Sequence, residues 1–181
     1  MGRPNGGKLT IFVDCVSPYS WFGFTSTIRY RPLLKAHGVF VDIVPFFLGG
    51  ARESPVRVAT WIKDHCEAEK FEATFEALVS GYWSKGINVS KTEGIIKALD
   101  GIFSEADLEE ILKNAISPEN KKRVIDQTLS AGAFGAPWII AVNSARERKD
   151  WFGNDRWDQV LAHLEVPYNP VSIIPPGGSK L

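Results

Sequence analysis

Cysteine is scarce in this chain. Cys15 and Cys66 are the only two in 181 residues, and they sit too far apart in sequence for a dense disulfide framework or for zinc-ligand spacing. That usage fits a reducing compartment. Histidine is nearly as rare, and His37, His65 and His163 show neither ligand nor triad spacing, so each reads as a helix-surface residue or a partner of a helix C-terminus, and no metal is expected. Net charge is missing too: 21 Lys and Arg balance 21 Asp and Glu, which leaves no field to gather phosphates or anionic lipid, and nucleic acid is not expected as a partner. Apolar runs span only a few residues, far short of the roughly 20 needed to cross a bilayer, and the polar start at Met1–Lys8 marks neither secretion nor membrane insertion. There is no internal repeat. What the chain does have is core material, with 44% apolar residues, six Trp and eleven Phe, enough for one domain or one domain carrying a small insertion.

Lys8 to Cys15 has the length and β-branched content of a short buried strand, bounded by Gly6-Gly7 and Ser17-Pro18. From Ser20 to His37 apolar residues recur at helical spacing, with Ser20 as the available cap, Gly38 as the stop, and Pro32 expected to bend or split the helix. Val39 to Phe47 reads as a second strand, and strand, helix, strand in that order imply a parallel pair with a crossover. Helices then follow: Pro55–Asp64, Glu67–Trp83, and two opened by hydroxyl-to-carboxylate capping patterns at Ser90-Lys91-Thr92-Glu93 and Ser104-Glu105-Ala106-Asp107. Ser117-Pro118-Glu119 opens another, with proline where its missing N–H costs nothing. Gly132 to Pro137 is a turn, Trp138–Asn143 a third strand, Lys149–Phe152 a fourth, and Asp155–Glu165 a last helix.

This element order predicts an α/β chain with a thioredoxin-like sheet, residues 8–50 and 132–166, interrupted by an all-helical lobe over 54–131. Residues 167–181 form a proline-rich extended tail ending in Ser179-Lys180-Leu181, the address read by the peroxisomal import receptor; peroxisomal, otherwise cytoplasmic, location is therefore expected. In a thioredoxin-like layout the chemistry sits where the first strand gives way to the first helix, because the opening N–H groups of that helix are unpaired and favour an anion. Redox members place C-x-x-C there. This chain writes Ser17-Pro18-Tyr19-Ser20, and a hydroxyl cannot form a mixed disulfide. Cys15 reads as a small buried core residue, and the adjacency of His65 and Cys66 as coincidence. Ser17 read alone is a helix cap or a hydrogen-bond donor to a bound anion, and the two roles are compatible.

Three stretches in order, Phe12-Val13-Asp14 leading into Ser17-Pro18-Tyr19-Ser20-Trp21-Phe22-Gly23, then Gly132-Ala133-Phe134-Gly135-Ala136-Pro137, then Phe152-Gly153-Asn154-Asp155-Arg156, together with the peroxisomal ending, resemble the kappa class of glutathione transferases and the related 2-hydroxychromene-2-carboxylate isomerases. The resemblance spans about residues 8–50 and 54–165 and implies a DsbA-like variant of the thioredoxin fold. It further implies glutathione as co-substrate, with the Ser17 hydroxyl donating to the glutathione sulfur and Pro18 and Tyr19 shaping the turn. Ala136, ahead of a cis Pro137, would pair its backbone with the cysteinyl segment, and Asn154 and Asp155, opening the last helix, would hold the γ-glutamyl end. A small electrophilic substrate and a homodimer are implied as well.

One departure stands out. Kappa-class relatives carry several tens of residues between the second strand and the helix resembling Pro55–Lys63, including an Asn and a Lys that contact glutathione; here residues 48–53 alone bridge the gap. Arg52, Arg57 or Lys63 could by position offer a cation to the glycyl carboxylate. Loss of such a contact would weaken glutathione binding by about 1–3 kcal/mol, and the missing cover is expected to leave apolar surface exposed or dimer contacts altered. The leading expectation is a transferase that conjugates or reduces an electrophilic or peroxide substrate through a serine-stabilised glutathione thiolate. A glutathione-dependent cis–trans isomerase and a catalytically weak or silent thioredoxin-fold scaffold are the alternatives.

Overall fold

The computed structural model describes residues 6–48 and 55–169; all of the bridge at 48–53 except Leu48, Arg52 included, and the Ser179-Lys180-Leu181 ending lie outside the described residues. Four strands and seven helices follow one another as β1 (Lys8–Val13), α1 (Pro18–Ala36), β2 (Phe40–Pro45), α2 (Pro55–His65), α3 (Ala68–Lys85), α4 (Thr92–Leu99), α5 (Glu105–Ala115), α6 (Pro118–Ala131), β3 (Trp138–Val142), β4 (Arg148–Phe152) and α7 (Trp157–His163). The sheet order is β2-β1-β3-β4. β1 pairs in parallel with β2, Ile11 opposite Ile43, and antiparallel with β3, Ile11 opposite Ile139; β4 closes the far edge antiparallel to β3. β1 is thus the central strand with neighbours on both sides, which is why its sequence is nearly continuous in apolar residues. This is the thioredoxin-like arrangement that the element order predicted.

Local chemistry explains most element ends. Ser17, rather than Ser20, is the N-cap of α1: its Oγ accepts the Ser20 N–H at 3.2 Å, and Pro18 takes the first helical position. Ser20 is buried one turn in, its Oγ accepting the Asp14 backbone N–H at 3.0 Å. Pro32 does not split the helix, which runs unbroken to Ala36. It lies on the exposed side near the C-terminal end, where the carbonyl it leaves unpaired can turn to water. The Ser104–Asp107 capping box forms, and Ser117 caps α6 ahead of Pro118. The box expected at Ser90 does not: Asn88 Oδ1 accepts both the Ser90 N–H, at 3.1 Å, and the Ser90 hydroxyl, at 2.6 Å. α4 then starts from Lys91 with no side-chain cap. Asn88 has taken the Ser90 N–H that Glu93 would have accepted in the box.

The helices between β2 and β3 share their core with the sheet. One cluster runs from Leu9, Ile11 and Ile139 through Phe24 of α1 to Phe75, Leu78 and Ile62, with the Phe24 and Phe75 rings 4.6 Å apart. Polar ties reinforce the α1–α3 seam: Arg31 grips the Glu72 carboxylate, and the Trp21 indole donates to Glu76 at 3.1 Å. A smaller cluster on the other sheet face gathers Phe12, Val44, Phe46, Ala136 and Trp138. His163 departs from the surface reading. It is buried, one ring nitrogen lies 3.0 Å from the Glu147 carbonyl, and the ring packs on Trp151. Leu33, Phe40, Leu129 and Phe134 are among the exposed large apolar side chains. Among the described residues no helix is long and apolar enough to cross a membrane.

Candidate functional site

β1 ends by delivering Asp14, Cys15 and Val16 to the mouth of α1. Pro18 has no N–H, and Ser20 and Trp21 give theirs to the side chain and carbonyl of Ser17. Tyr19 therefore holds the one first-turn N–H without a partner among the described residues. Ser17 Oγ accepts from Ser20, while its own proton finds no acceptor among the described residues. A hydroxyl carries one donor besides its two acceptor lone pairs. Capping therefore leaves the Ser17 donor available, next to a helix end that favours negative charge.

Three sequence stretches meet around this turn. Tyr19 and Phe22 of α1, Ala136 and Pro137, and the run Phe152 to Arg156 line a cleft of about 550 Å³. The Ala136–Pro137 bond is cis, as the family resemblance implied. Pro137 gives its carbonyl to the Gly153 N–H at 2.9 Å, and the N–H and C=O of Ala136 have no backbone partner among the described residues. Those free groups can accept an added extended segment in the manner of an edge strand. Packing explains two of the glycines. A Cβ on residue 23 would stand 3.0 Å from the Cβ of Pro137, and one on residue 135 would stand 2.7 Å from the Phe152 ring. The proline turn can lie against α1, and Phe152 against the Phe134–Pro137 loop, only because those side chains are absent.

The structure brings Tyr19, Ala136, Pro137, Asn154 and Asp155 to one cleft; Ser17 and Pro18 belong to the same turn as Tyr19 but are not among the cleft walls. Asn154 and Asp155 do not open the last helix. α7 begins at Trp157 with Arg156 as its cap residue, and Asn154 Oδ1 is taken by the Trp157 indole N–H at 2.9 Å. Gly153 just ahead of Asn154 and Asp155 has φ 95°, a conformation that favours glycine. Asp155 is exposed, with Arg156 Nε 3.6 Å from its Oδ1. Arg156, Phe22 and Phe152 stand inside the motifs without a sequence signal for a role; among the described residues Arg156 is the one cation lining the cleft. The other cations considered are engaged elsewhere: Arg57 donates to the Ala115 and Ser117 carbonyls, and Lys63 binds Asp42 and the Ile43 carbonyl, each at 2.6 Å.

Beneath the turn lies a carboxyl that the sequence reading passed over. Asp14 is buried, its Oδ1 accepts the Val16 N–H at 2.7 Å, and the amides of Ser17 and Leu48 also face it. Burial pushes its pKa up to about 6, against the pull of those three amides. Cys15 next to it is fully buried and unpaired; burial, with Asp14 adding to it, raises the thiol well above the ordinary range. A neutral, inaccessible thiol is no nucleophile. Cys66 is likewise unpaired, and burial raises its thiol too. Among the described residues no group of three His, Cys, Asp or Glu side chains is placed to hold a metal.

Fold and site together define a thioredoxin-fold protein of the kind interrupted by helices, with serine at both ends of the Ser17-Pro18-Tyr19-Ser20 turn. Residues 8–165 match the model of the DSBA-like thioredoxin domain, and the chain belongs to that family. It is similar to two proteins of Caenorhabditis elegans, glutathione S-transferase kappa 2, at 22% identity over 91% of this chain and 95% of the relative, and glutathione S-transferase kappa 1, at 22% identity over 91% and 93%. The first of those alignments runs over 216 positions, more than the 181 residues of this chain, so the relative carries sequence that this chain lacks. Among solved structures it resembles the oxidoreductase DsbA of Xylella fastidiosa, with a TM-score of 0.64, 16% identity and coverage of 91% and 87%. DsbA of Chlamydia trachomatis is also similar, with a TM-score of 0.61, 14% identity and coverage of 88% and 86%.

Proposed function

We propose that this chain is a glutathione transferase of kappa type. The observation that carries the reading is the division of labour at Ser17, whose oxygen caps the helix while its proton stays available for a ligand's sulfur. A charge-assisted hydrogen bond of about 1.5–3 kcal/mol lowers a thiol near pKa 8.5 by about one to two units, to within reach of neutral pH. The free backbone of Ala136 receives the cysteinyl segment. Asp155 pairs with the γ-glutamyl ammonium, and Arg156 takes the adjacent carboxylate, since a seven-residue α7 with no side-chain cap is a poor anion cradle. In the reaction the thiol proton leaves to solvent, the thiolate forms a carbon–sulfur bond, and the displaced group departs with its bonding pair. The similarity to kappa transferases supports the substrate, and the serines at both sulfur positions argue against dithiol exchange.

Titration of glutathione into the full chain by calorimetry, followed by conjugation of a chloronitrobenzene by wild type and Ser17→Ala, tests this. Heat of binding with a rate lost in the variant supports it; equal rates in both proteins remove Ser17 from the mechanism. The engagement of Arg57 and Lys63 favours the second reading, a silent scaffold, and absence of heat at millimolar glutathione would establish that one instead. Binding without conjugation, but with turnover of a chromene carboxylate, would establish the isomerase. A homodimer and a peroxisomal location remain parts of the same proposal, tested by light scattering and by localisation of the full chain.

A further inference from the structure

The cleft accounts for one side of the Ser17 turn. Its described walls come from α1, the proline turn, the end of β4 and the approach to α7, and none comes from the helical lobe. A transferase needs a second surface beside the sulfur, because the electrophile has to lie within bonding reach of the thiolate while glutathione fills its own site. The lobe reaches the turn through Trp83, whose indole N–H donates to the Val16 carbonyl at 3.2 Å. That oxygen belongs to the peptide unit whose nitrogen is that of Ser17, so the ring is pinned one bond away from the residue that presents the hydroxyl. Although tethered, the side chain is 47% exposed. Among the described residues its one ring contact is Tyr82, 5.1 Å away at 90° and itself 41% exposed. A large apolar ring thus stands partly in water beside the reactive turn, outside the cleft.

We propose that Trp83 is the specificity-determining residue for the second substrate, its indole serving as the platform on which a planar, electron-poor aromatic electrophile stacks beside the glutathione sulfur. This inference rests on the transferase reading and adds to it the class of electrophile and the residue that selects it. A ring that accepts a thiolate is electron-poor by necessity, and the indole face is the most electron-rich among the aromatic side chains, so the two attract. In the step itself the sulfur pair forms the carbon–sulfur bond at the ring carbon bearing the leaving group. The ring holds the displaced pair as negative charge, and the halide then departs with its own bonding pair. Because the ring grows more negative as sulfur adds, the indole face holds the ground state at least as well as the transition state. Stacking therefore lowers KM for an aromatic electrophile and does not raise kcat. Small aliphatic electrophiles gain nothing from it.

The test compares the dissociation constants of S-dinitrophenylglutathione and S-methylglutathione on the full chain, in wild type, Trp83→Phe and Trp83→Leu. The ratio of the two constants isolates the aryl contact. It cancels whatever the lost Val16 anchor does to the glutathione part, so a merely structural role for Trp83 would not move it. The aryl adduct is expected to bind wild type about tenfold more tightly than the methyl adduct. Trp83→Phe, which keeps a ring, should retain part of that advantage and Trp83→Leu should lose it. An advantage unchanged in Trp83→Leu would overturn the proposal, as would one lost in Phe152→Leu instead, which would put the aryl group in the cleft. Should Trp83→Leu not fold, the indole N–H resonance of Trp83 in wild type decides: a larger displacement by the aryl than by the methyl adduct supports the platform, and equal displacement overturns it. A methyl adduct that binds with no aryl advantage removes the platform and leaves the transferase reading standing. Failure of both adducts to bind removes the two together.

Discussion

The indole N–H of Trp83, near the end of α3, donates to the carbonyl of Val16 at 3.2 Å, so the helical lobe is tied to the residue just before Ser17. Asp14 holds the same residue from below through its N–H. Val16 is therefore fixed at both its polar backbone groups, one from the lobe and one from the sheet.

Trp83→Phe keeps the ring and removes that donor. The indole is half-exposed, so water can replace it at the carbonyl, and the expected loss is about 0.5–1.5 kcal/mol in a urea unfolding midpoint. Glutathione affinity should fall alongside. A variant as stable as wild type with unchanged affinity would mean that the lobe does not help to place the turn.

Ser17→Ala should have two separable effects. Removing the cap oxygen orphans the Ser20 N–H, which costs about 0.5–2 kcal/mol of stability. Ser17→Asp restores a capping oxygen, and the stability should recover while conjugation does not, because an ionised carboxylate has no proton to donate to sulfur. Recovery of both would make Ser17 a cap alone.

Gly23 is the contact at which α1 meets the proline turn. A valine there places branched carbons against the Pro137 ring, already 3.0 Å from a bare Cβ, and against Ile11 Cδ1 at 3.2 Å. Overpacking of about 1–3 kcal/mol follows, and the strain is delivered to Ala136, whose backbone faces the cleft. The expected result is a lowered melting temperature and a glutathione affinity that falls by more than in a destabilised core variant such as Phe75→Leu. Equal losses in the two would separate the Gly23 contact from the site.

What was legible in the sequence was what adjacent residues decide for themselves. The Ser104 box, the Ser117-Pro118 start and the serine-for-cysteine turn are all settled within four residues, and the parallel β1–β2 pair follows from the crossover between them. The box at Ser90 fails because Asn88, two residues back, accepts the N–H that Glu93 would have taken. Arg57 and Lys63 read as free cations because their partners come from α5, β2 and the approach to α6. The same holds for His163, whose burial depends on β4 and the Glu147 carbonyl. Asp14 stands inside a motif with nothing in the sequence to mark it, since burial beneath a turn is a property of the packed chain. Phe152 and Gly135 illustrate the converse: two motifs 17 positions apart make sense of one another once the ring is seen to occupy the space of the missing Cβ.

Asp14 also governs stability, with a sign opposite to that of most carboxylates. Its folded pKa lies near 6, above the ordinary 3.8, so the native chain holds this proton more tightly than the unfolded chain does. Between about pH 4 and pH 6 the folded state therefore binds more protons, and the contribution of this group falls as pH rises through that window, by about 3 kcal/mol in all. Above pH 6 it is flat. Asp14→Asn removes the titration while retaining one acceptor oxygen, so comparing variant with wild type cancels every other ionisable group to first order. The difference in unfolding free energy should move in favour of the variant by about that amount between pH 4 and pH 7. Urea unfolding at the two pH values measures it; a difference that stays constant would show that the carboxyl titrates as it would in water, and a stabilised wild type at pH 7 would show that the three amides outweigh burial.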